Sequence, residues 1–118
     1  MALKRKPGET GWVKSIDGSI VSEIFNPGNS EASEFSVALA KVRKGEETLK
    51  HTHENFEVYF VHKGIGKMLL GEEEFEIAEG DFILIPPGKE HKVKATEDLE
   101  IVCFSHPEYR EERTRLSQ

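Results

Sequence analysis

The chain is dominated by short segments in which apolar and polar residues alternate, separated by turns rich in glycine. Alternation with a period of two residues is typical of β-strands that have one buried and one exposed face. The pattern predicts strands at 34–42, 48–53, 56–62, 67–70, 74–78, 82–85, 91–95 and 99–104. Many short strands at regular spacing favour an antiparallel sandwich or barrel. We therefore predict an all-β fold and exclude a helical bundle or a parallel α/β sheet.

The two ends of the chain differ from this central region. Segments 11–16 and 19–25 are predicted to form a hairpin, because the Asp17-Gly18 pair between them suits a two-residue turn. The polar residues after Pro107 show only weak helical periodicity, so we expect a short helix or a frayed tail there. The 118 residues suit a single domain, with N-terminal strands in 1–34, a barrel in 35–106 and a short polar tail in 107–118.

Charge and apolar content exclude several classes of function. The 22 acidic residues outnumber the 16 lysines and arginines and give a formal net charge of −6, whereas nucleic-acid-binding proteins present a basic face to phosphates. No apolar run approaches the roughly 18 residues of a membrane helix, and the polar opening segment predicts no secretory signal. The single Cys103 excludes an intramolecular disulfide. We expect a cytoplasmic protein with no nucleic-acid or membrane partner.

Two histidines two residues apart carry the strongest chemical signal in the sequence. His51 and His53 lie in a predicted strand, where such residues point to the same face, so their imidazoles can converge on one ion. Glu57 follows after a short connection, and His91 begins a later strand after the Pro86-Pro87-Gly88 turn. Three imidazoles and one carboxylate suit Mn, Fe, Co, Ni, Cu or Zn better than calcium or magnesium. The H-x-H pair alone leaves the metal-site and the purely structural interpretations about equally weighted.

The glycines and prolines around these histidines complete two motifs that resemble those of the cupins. The first motif reads Gly45, five residues, His51-Thr52-His53, three residues, Glu57, six residues, Gly64. The second reads Gly80, five residues, Pro86-Pro87-Gly88, two residues, His91, three residues, Ala95. Nine of the ten fixed positions match, and the exception is Ala95, where the family usually has asparagine.

The resemblance implies a cupin double-stranded β-helix, a jelly-roll-like barrel, over 35–106. It also implies that one divalent transition-metal ion is bound by His51, His53, Glu57 and His91. The asparagine is not a metal ligand in the family, so Ala95 puts in doubt only a supporting hydrogen bond and the packing of its strand.

Strand parity predicts which further side chains face the ion. We expect the pocket to be lined by Tyr59, Val61, Val93 and Cys103. For the first barrel strand the sequence leaves two alternatives open. The inward face is either the small set, Ser36, Ala38 and Ala40, or the large set, Phe35, Val37 and Leu39.

The resemblance is compatible with two classes of function. Four protein ligands leave one or two positions open on an ion that binds about five or six, and an open position is typical of catalytic metal sites. The first interpretation is a metalloenzyme acting on a small oxygenated molecule, of the dioxygenase or sugar isomerase/epimerase type. The alternative is a non-catalytic module that binds a small ligand. The motifs do not separate the two, so whether the protein is an enzyme stays open.

The outward faces of the strands bear on assembly. Phe60, His62, Val102 and Phe104 are predicted to face away from the metal and to leave an apolar outer surface on a small barrel. Such a surface has to be covered, either by the N-terminal strands or by a second copy of the chain. Dimers are common in the family that the sequence resembles, so we expect a homodimer.

Overall fold

The computed structural model describes residues 2–117 as two antiparallel β-sheets. Within these residues the eleven strands are β1 (Val13–Lys14), β2 (Ile20–Phe25), β3 (Ser36–Val42), β4 (His51–His53), β5 (Phe56–Lys63), β6 (Ile65–Leu70), β7 (Glu73–Ala78), β8 (Phe82–Ile85), β9 (His91–Ala95), β10 (Leu99–His106) and β11 (Thr114–Leu116). A single turn of 3-10 helix, Glu111–Arg113, precedes β11. The all-β barrel predicted from the alternation is confirmed. No helix within residues 2–117 has the length and apolar character needed to cross a membrane.

The two sheets enclose one apolar core. One sheet has the strand order β1-β2-β3-β10-β5-β8, and the other has the order β11-β4-β9-β6-β7. Val61 and Ile101 from the first sheet meet Met68, Ile77 and Val93 from the second. Since neighbouring residues of a strand point to opposite faces, these inward positions follow the parity expected from the sequence.

The strand pairing brings the two sequence motifs together. His51 of β4 lies directly opposite His91 of β9, so the H-x-H pair and the later histidine share one sheet. Glu57 lies on β5 in the other sheet, in register with Ser105 of β10 and Ile85 of β8. The candidate ligands therefore approach one another from the two sides of the barrel.

Gly64, the last residue of the first motif, is required by the connection between β5 and β6. Its φ of +96° lies in the left-handed region, which L-residues with a side chain adopt only at a cost. A β-carbon at this position would also overlap the main-chain carbonyl of Asp98. Glycine is therefore the residue that allows this strand connection to pack against the turn before β10.

Main-chain hydrogen bonds hold the end of β9, at Ala95, against residues 45 and 46. The Ala95 amide donates to the Glu46 carbonyl at 2.9 Å, and the Ala95 carbonyl accepts from the Gly45 amide at 2.9 Å. The Ala95 side chain is buried opposite Gly66 of β6. The departure from the asparagine of the cupin motif therefore leaves this strand paired and packed.

The end of the chain contains a short helix, as the sequence allowed, in the single 3-10 turn Glu111–Arg113, and also a strand that the sequence did not predict. After the 3-10 turn, Thr114–Leu116 forms β11, which pairs antiparallel with β4 and places Thr114 opposite His53. The three residues carry no alternating pattern of their own. They form a strand because the free edge of β4 offers unpaired main-chain groups.

The predicted N-terminal hairpin forms with a shorter first strand. Val13 pairs with Val21, and β2 then pairs with β3, so the hairpin extends the six-stranded sheet. The residues before β1 cross the outer face of β2, where the Gly8 amide donates to Ser22 Oγ at 2.8 Å. The N-terminal segment therefore covers the β2 side of this sheet.

Candidate metal centre

Three buried histidines from β4 and β9 form the centre of the site. His51, His53 and His91 each offer a ring nitrogen, and these atoms all lie within 4.8 Å of one another. The ring centroids of His51 and His91 are 4.2 Å apart, and those of His51 and His53 are 4.7 Å apart. Imidazole nitrogens gathered in this way are suitable donors for a divalent transition-metal ion.

Two of the imidazoles are oriented by their own main chain. His51 Nδ1 donates to the Leu49 carbonyl oxygen at 2.7 Å, and His91 Nδ1 donates to the Lys89 carbonyl oxygen at 2.9 Å. A carbonyl oxygen can only accept, so the proton of each neutral ring lies on Nδ1 and the Nε2 atom carries a lone pair. In both cases the carbonyl lies two residues before the histidine, so each motif orients its own imidazole through a neighbouring main-chain group.

His53 is oriented instead by the far end of the chain. Its Nδ1 lies 2.8 Å from Thr114 Oγ1, and this hydroxyl lies 3.4 Å from the Arg110 carbonyl oxygen. The hydroxyl donates to that carbonyl and accepts from His53, which gives His53 the same tautomer as the other two histidines. The Tyr109 ring packs edge-on against His53 at 5.6 Å. Sequence reasoning missed Tyr109 and Thr114, because nothing in the local pattern links them to the H-x-H pair.

Glu57 enters the site from the opposite sheet. Its Oε1 atom lies 3.0 Å from His53 Nε2 and 3.5 Å from His91 Nε2, and Ser105 Oγ donates to its Oε2 atom at 3.4 Å. Glu57 Oε1 and His91 Nε2 are both buried and have no hydrogen-bond partner among residues 2–117. Acceptors that face each other in a buried site are unfavourable unless a proton or a cation lies between them. This donor set therefore fits a divalent transition-metal ion.

Burial and neighbouring groups adjust the protonation of the site. Burial, together with the nearby His91 imidazole, lowers the pKa of His51 to about 4. Burial by itself raises the pKa of Glu57, but a proton shared with the facing His53 and His91 nitrogens favours the ionised carboxylate and holds this pKa below its ordinary value. At pH 7 His51 is therefore neutral and Glu57 is ionised, which are the forms that bind metal ions.

A cavity of about 160 Å³ opens beside the cluster, with His51, His53 and Glu57 in its wall. On β3 the small set of side chains faces inward, which decides between the two alternatives that the sequence left open. These residues are Ser36, Ala38 and Ala40. Their small volume leaves space for a ligand between β3 and the histidines.

The four residues predicted to line the pocket divide into two groups. Tyr59, Val93 and Cys103 line the cavity, whereas Val61 lies fully buried deeper in the core. Val61 has the expected inward parity, but it is too far along β5 to reach the open end of the barrel. Burial raises the pKa of both Tyr59 and Cys103, so both are protonated at pH 7 and the thiol is a poor nucleophile.

The sequence predicts only a turn at Asp17, but the structure places this residue beside the histidines. Its Oδ2 atom lies 3.8 Å from His51 Nε2, and its side chain is 13% exposed. The turn is tied to the barrel where the Leu49 amide donates to the Asp17 carbonyl at 2.7 Å. No sequence signal could have found this contact, since it depends on how the hairpin packs against β4.

These features define a class of protein, a two-sheet β-barrel with a cluster of three histidines able to hold a metal ion. Residues 38–106 match the cupin domain, and the chain belongs to the cupin family.

Several known proteins are similar to this chain. The uncharacterized protein MJ1618 from Methanocaldococcus jannaschii is 39% identical over 103 residues, which cover 85% of this chain and 82% of that protein. The structure of the plu4264 protein from Photorhabdus luminescens is similar with a TM-score of 0.76 and 25% identity, covering 90% of this chain and 88% of that chain. Salicylate 1,2-dioxygenase from Pseudoaminobacter salicylatoxidans shares the fold, with a TM-score of 0.71 and 20% identity over 80% of this chain and 28% of that chain.

Replacing Thr114 by valine should weaken metal binding by roughly 10- to 100-fold, the usual effect of losing a partner that orients a ligand. Valine has nearly the same shape, but it cannot accept the His53 Nδ1–H hydrogen bond. Thr114→Ser keeps the hydroxyl and should bind metal like the parent. Competition with a chromophoric chelator measures the affinity. Equal affinity in the valine variant, or an equal loss in the serine variant, would contradict the orienting role.

Protein freed of metal by a chelator should lose stability as the pH falls from about 6.5 towards 4. The pKa of His51 is 6.5 in the unfolded chain and about 4 in the folded protein, so the unfolded state binds more protons throughout this interval. Urea unfolding at several pH values measures the effect. His51→Gln should flatten the slope in this window, while the further loss below about pH 4.5 that Glu57 causes should remain in both proteins. An unchanged slope would assign the effect to another group.

Proposed function

We propose that the chain is a metal-binding cupin that holds one divalent transition-metal ion through His51, His53, Glu57 and His91. The observation that supports this most directly is the pair of buried, unpartnered acceptors among residues 2–117, Glu57 Oε1 and His91 Nε2, which lie 3.5 Å apart. The mixed nitrogen and oxygen donors suit Mn, Fe, Co, Ni, Cu or Zn.

The proposed activity is that of a metalloenzyme acting on a small oxygenated molecule, of the dioxygenase or sugar isomerase/epimerase type. When bound, the ion would supply Lewis-acid polarisation of a ligand oxygen. The chain itself contributes the positioning of the ligands. Hydrogen bonds at the Nδ1 atoms hold the three imidazoles in place, and the cavity gives a small molecule access to them. The shared fold of salicylate 1,2-dioxygenase supports the dioxygenase type only by analogy.

The second candidate is a non-catalytic module that binds a small ligand. It is favoured by the cavity walls away from the histidines, which are formed largely by apolar side chains such as Ala38, Ala40 and Ile101. In both cases the proposed partner is a small molecule rather than a nucleic acid or a membrane. The proposed location is the cytoplasm.

Protein purified without chelator should contain close to one divalent transition-metal ion per chain. His51→Ala and His91→Ala should each lose the ion. Glu57→Gln should keep the fold and bind the ion more weakly, because it removes a negative charge from the donor set. Elemental analysis and circular dichroism measure these outcomes. His62→Ala is the matched control, since His62 is exposed on β5 and should leave the metal content unchanged.

The same preparation loaded with cobalt separates an accessible site from a closed one. If the ion is accessible, imidazole should change the visible spectrum, because the coordination of cobalt changes. A spectrum that ignores added ligands would favour a structural role for the ion. A parent protein that takes up no metal after reconstitution would overturn the metal assignment.

We also propose a homodimer that forms through the outer face of β10, β5 and β8. Phe82 and Leu84 of β8 are 73% and 59% exposed, and Phe104 of β10 is 39% exposed. The N-terminal strands do not cover this face, because they extend the sheet beyond β3 at its opposite edge. The sequence left two possibilities for covering this apolar face, the N-terminal strands or a second copy of the chain. We propose the second copy.

Replacing both Phe82 and Leu84 by glutamate should convert the protein from a dimer to a monomer without unfolding it. Both side chains lie mostly in solvent in one copy, so the change affects association more than folding. Sedimentation equilibrium measures the mass. Ile65→Glu is the control, since Ile65 is 46% exposed on the other sheet and should leave the dimer intact. A monomeric parent would contradict the proposal.

A further inference from the structure

The carboxylate of Asp17 is held in a fixed orientation in the cavity wall. Its Oδ1 atom accepts hydrogen bonds from the Ser19 amide at 2.9 Å and the Ser19 hydroxyl at 2.7 Å. Its Oδ2 atom is thereby directed towards His51 Nε2, 3.8 Å away. The Leu49 amide, two residues before His51, anchors the carbonyl of the same aspartate. The hairpin turn therefore presents one free carboxylate oxygen to the metal centre.

The position of Asp17 differs from that of Glu57. Donors that bind one ion at about 2.1 Å from neighbouring positions are roughly 3 to 3.5 Å apart. Glu57 Oε1 meets this spacing with two imidazoles, at 3.0 and 3.5 Å. Within residues 2–117, Asp17 Oδ2 lies within 4 Å of one imidazole nitrogen, His51 Nε2, at the longer distance of 3.8 Å. Asp17 is therefore a charged group of the wall beside the proposed ion, and Glu57 is the carboxylate that completes the ligand set.

The surroundings of Asp17 leave its charge without a basic partner. No lysine or arginine nitrogen within residues 2–117 lies within 4 Å of Asp17 or of Glu23, which lines the same cavity. Among residues 2–117, Lys14 is the lysine or arginine that lines the cavity, and it is exposed. Glu111 lines the same cavity. A ligand therefore meets carboxylates on more than one side and no buried cation of the protein.

We infer that Asp17 is a specificity-determining residue that makes the cavity select neutral or cationic hydroxyl-bearing molecules, such as polyols and amino alcohols, over carboxylates and other small anions. This inference rests on the proposed metal site. A hydroxyl or ammonium group beside the ion can donate to Asp17 Oδ2, whereas an anion in the same place meets a fixed negative charge. Of the two proposed reaction types, the polyhydroxylated substrate of a sugar isomerase or epimerase suits this wall better than an aromatic acid.

The test compares two ligands of the same size, 2-aminoethanol and glycolate, on the cobalt-loaded full-length protein. Visible titration gives the affinity for each ligand in the parent and in Asp17→Asn, which is nearly isosteric and removes the charge. The ratio of glycolate affinity to aminoethanol affinity should rise at least tenfold in the variant. Glu72→Gln makes the same charge change at an exposed turn outside the cavity and should leave the ratio unchanged.

The cobalt affinity of each protein is measured in parallel by chelator competition. It should fall in Asp17→Asn by clearly less than in Glu57→Gln, because in this assignment Asp17 attracts the ion from the cavity wall, whereas Glu57 binds it directly. A loss of cobalt affinity as large as that of Glu57→Gln would make Asp17 a ligand and overturn the inference, and so would an unchanged ligand ratio. A parent protein that takes up no cobalt would overturn the proposed metal centre itself, and the selectivity inference with it.

Discussion

The buried approach of the Glu57 carboxylate to the imidazoles of His53 and His91 is the contact on which the functional end of the barrel depends. It joins the two sheets, since Glu57 lies on β5 while the histidines lie on β4 and β9. These groups are buried acceptors that face one another, so the contact is unfavourable until a cation or a proton lies between them. An ion bound there would stabilise the folded state as well as supply chemistry, because the unfolded chain has no such site.

The remaining parts of the site can be understood as supports for that contact. His51 and His91 receive their orientation from carbonyls two residues earlier, so each motif carries its own support. His53 instead depends on Thr114, and the hairpin places Asp17 beside His51. Both of these residues lie outside the matched cupin domain, residues 38–106. The segments that flank the family domain therefore distinguish this site from a bare arrangement of three histidines and a glutamate.

The cavity has an equally local cause in the composition of β3. Ser36, Ala38 and Ala40 face inward, and their small volume leaves space where larger side chains would fill the barrel. The larger Val37 and Leu39 face outward, so a shift of register by one residue would close the cavity and bury the wrong face. Small inward side chains on β3 thus leave space at the open end of the barrel, whereas larger apolar side chains fill the core.

The sequence by itself determined the strands, the ligand spacing and the family. Period-two alternation divides each strand into two faces, and the spacing of Gly, Pro and His reflects turns such as the one at Gly64. Val61 shows the limit of this reasoning, because parity gives the face of a strand but not the depth along the barrel. Only the tertiary structure decided the inward face of β3, the strand at 114–116 and the places of Asp17 and Thr114. The bond from His53 to Thr114 joins residues 61 positions apart, and contacts of that kind depend on how sheets and hairpins pack rather than on any local pattern.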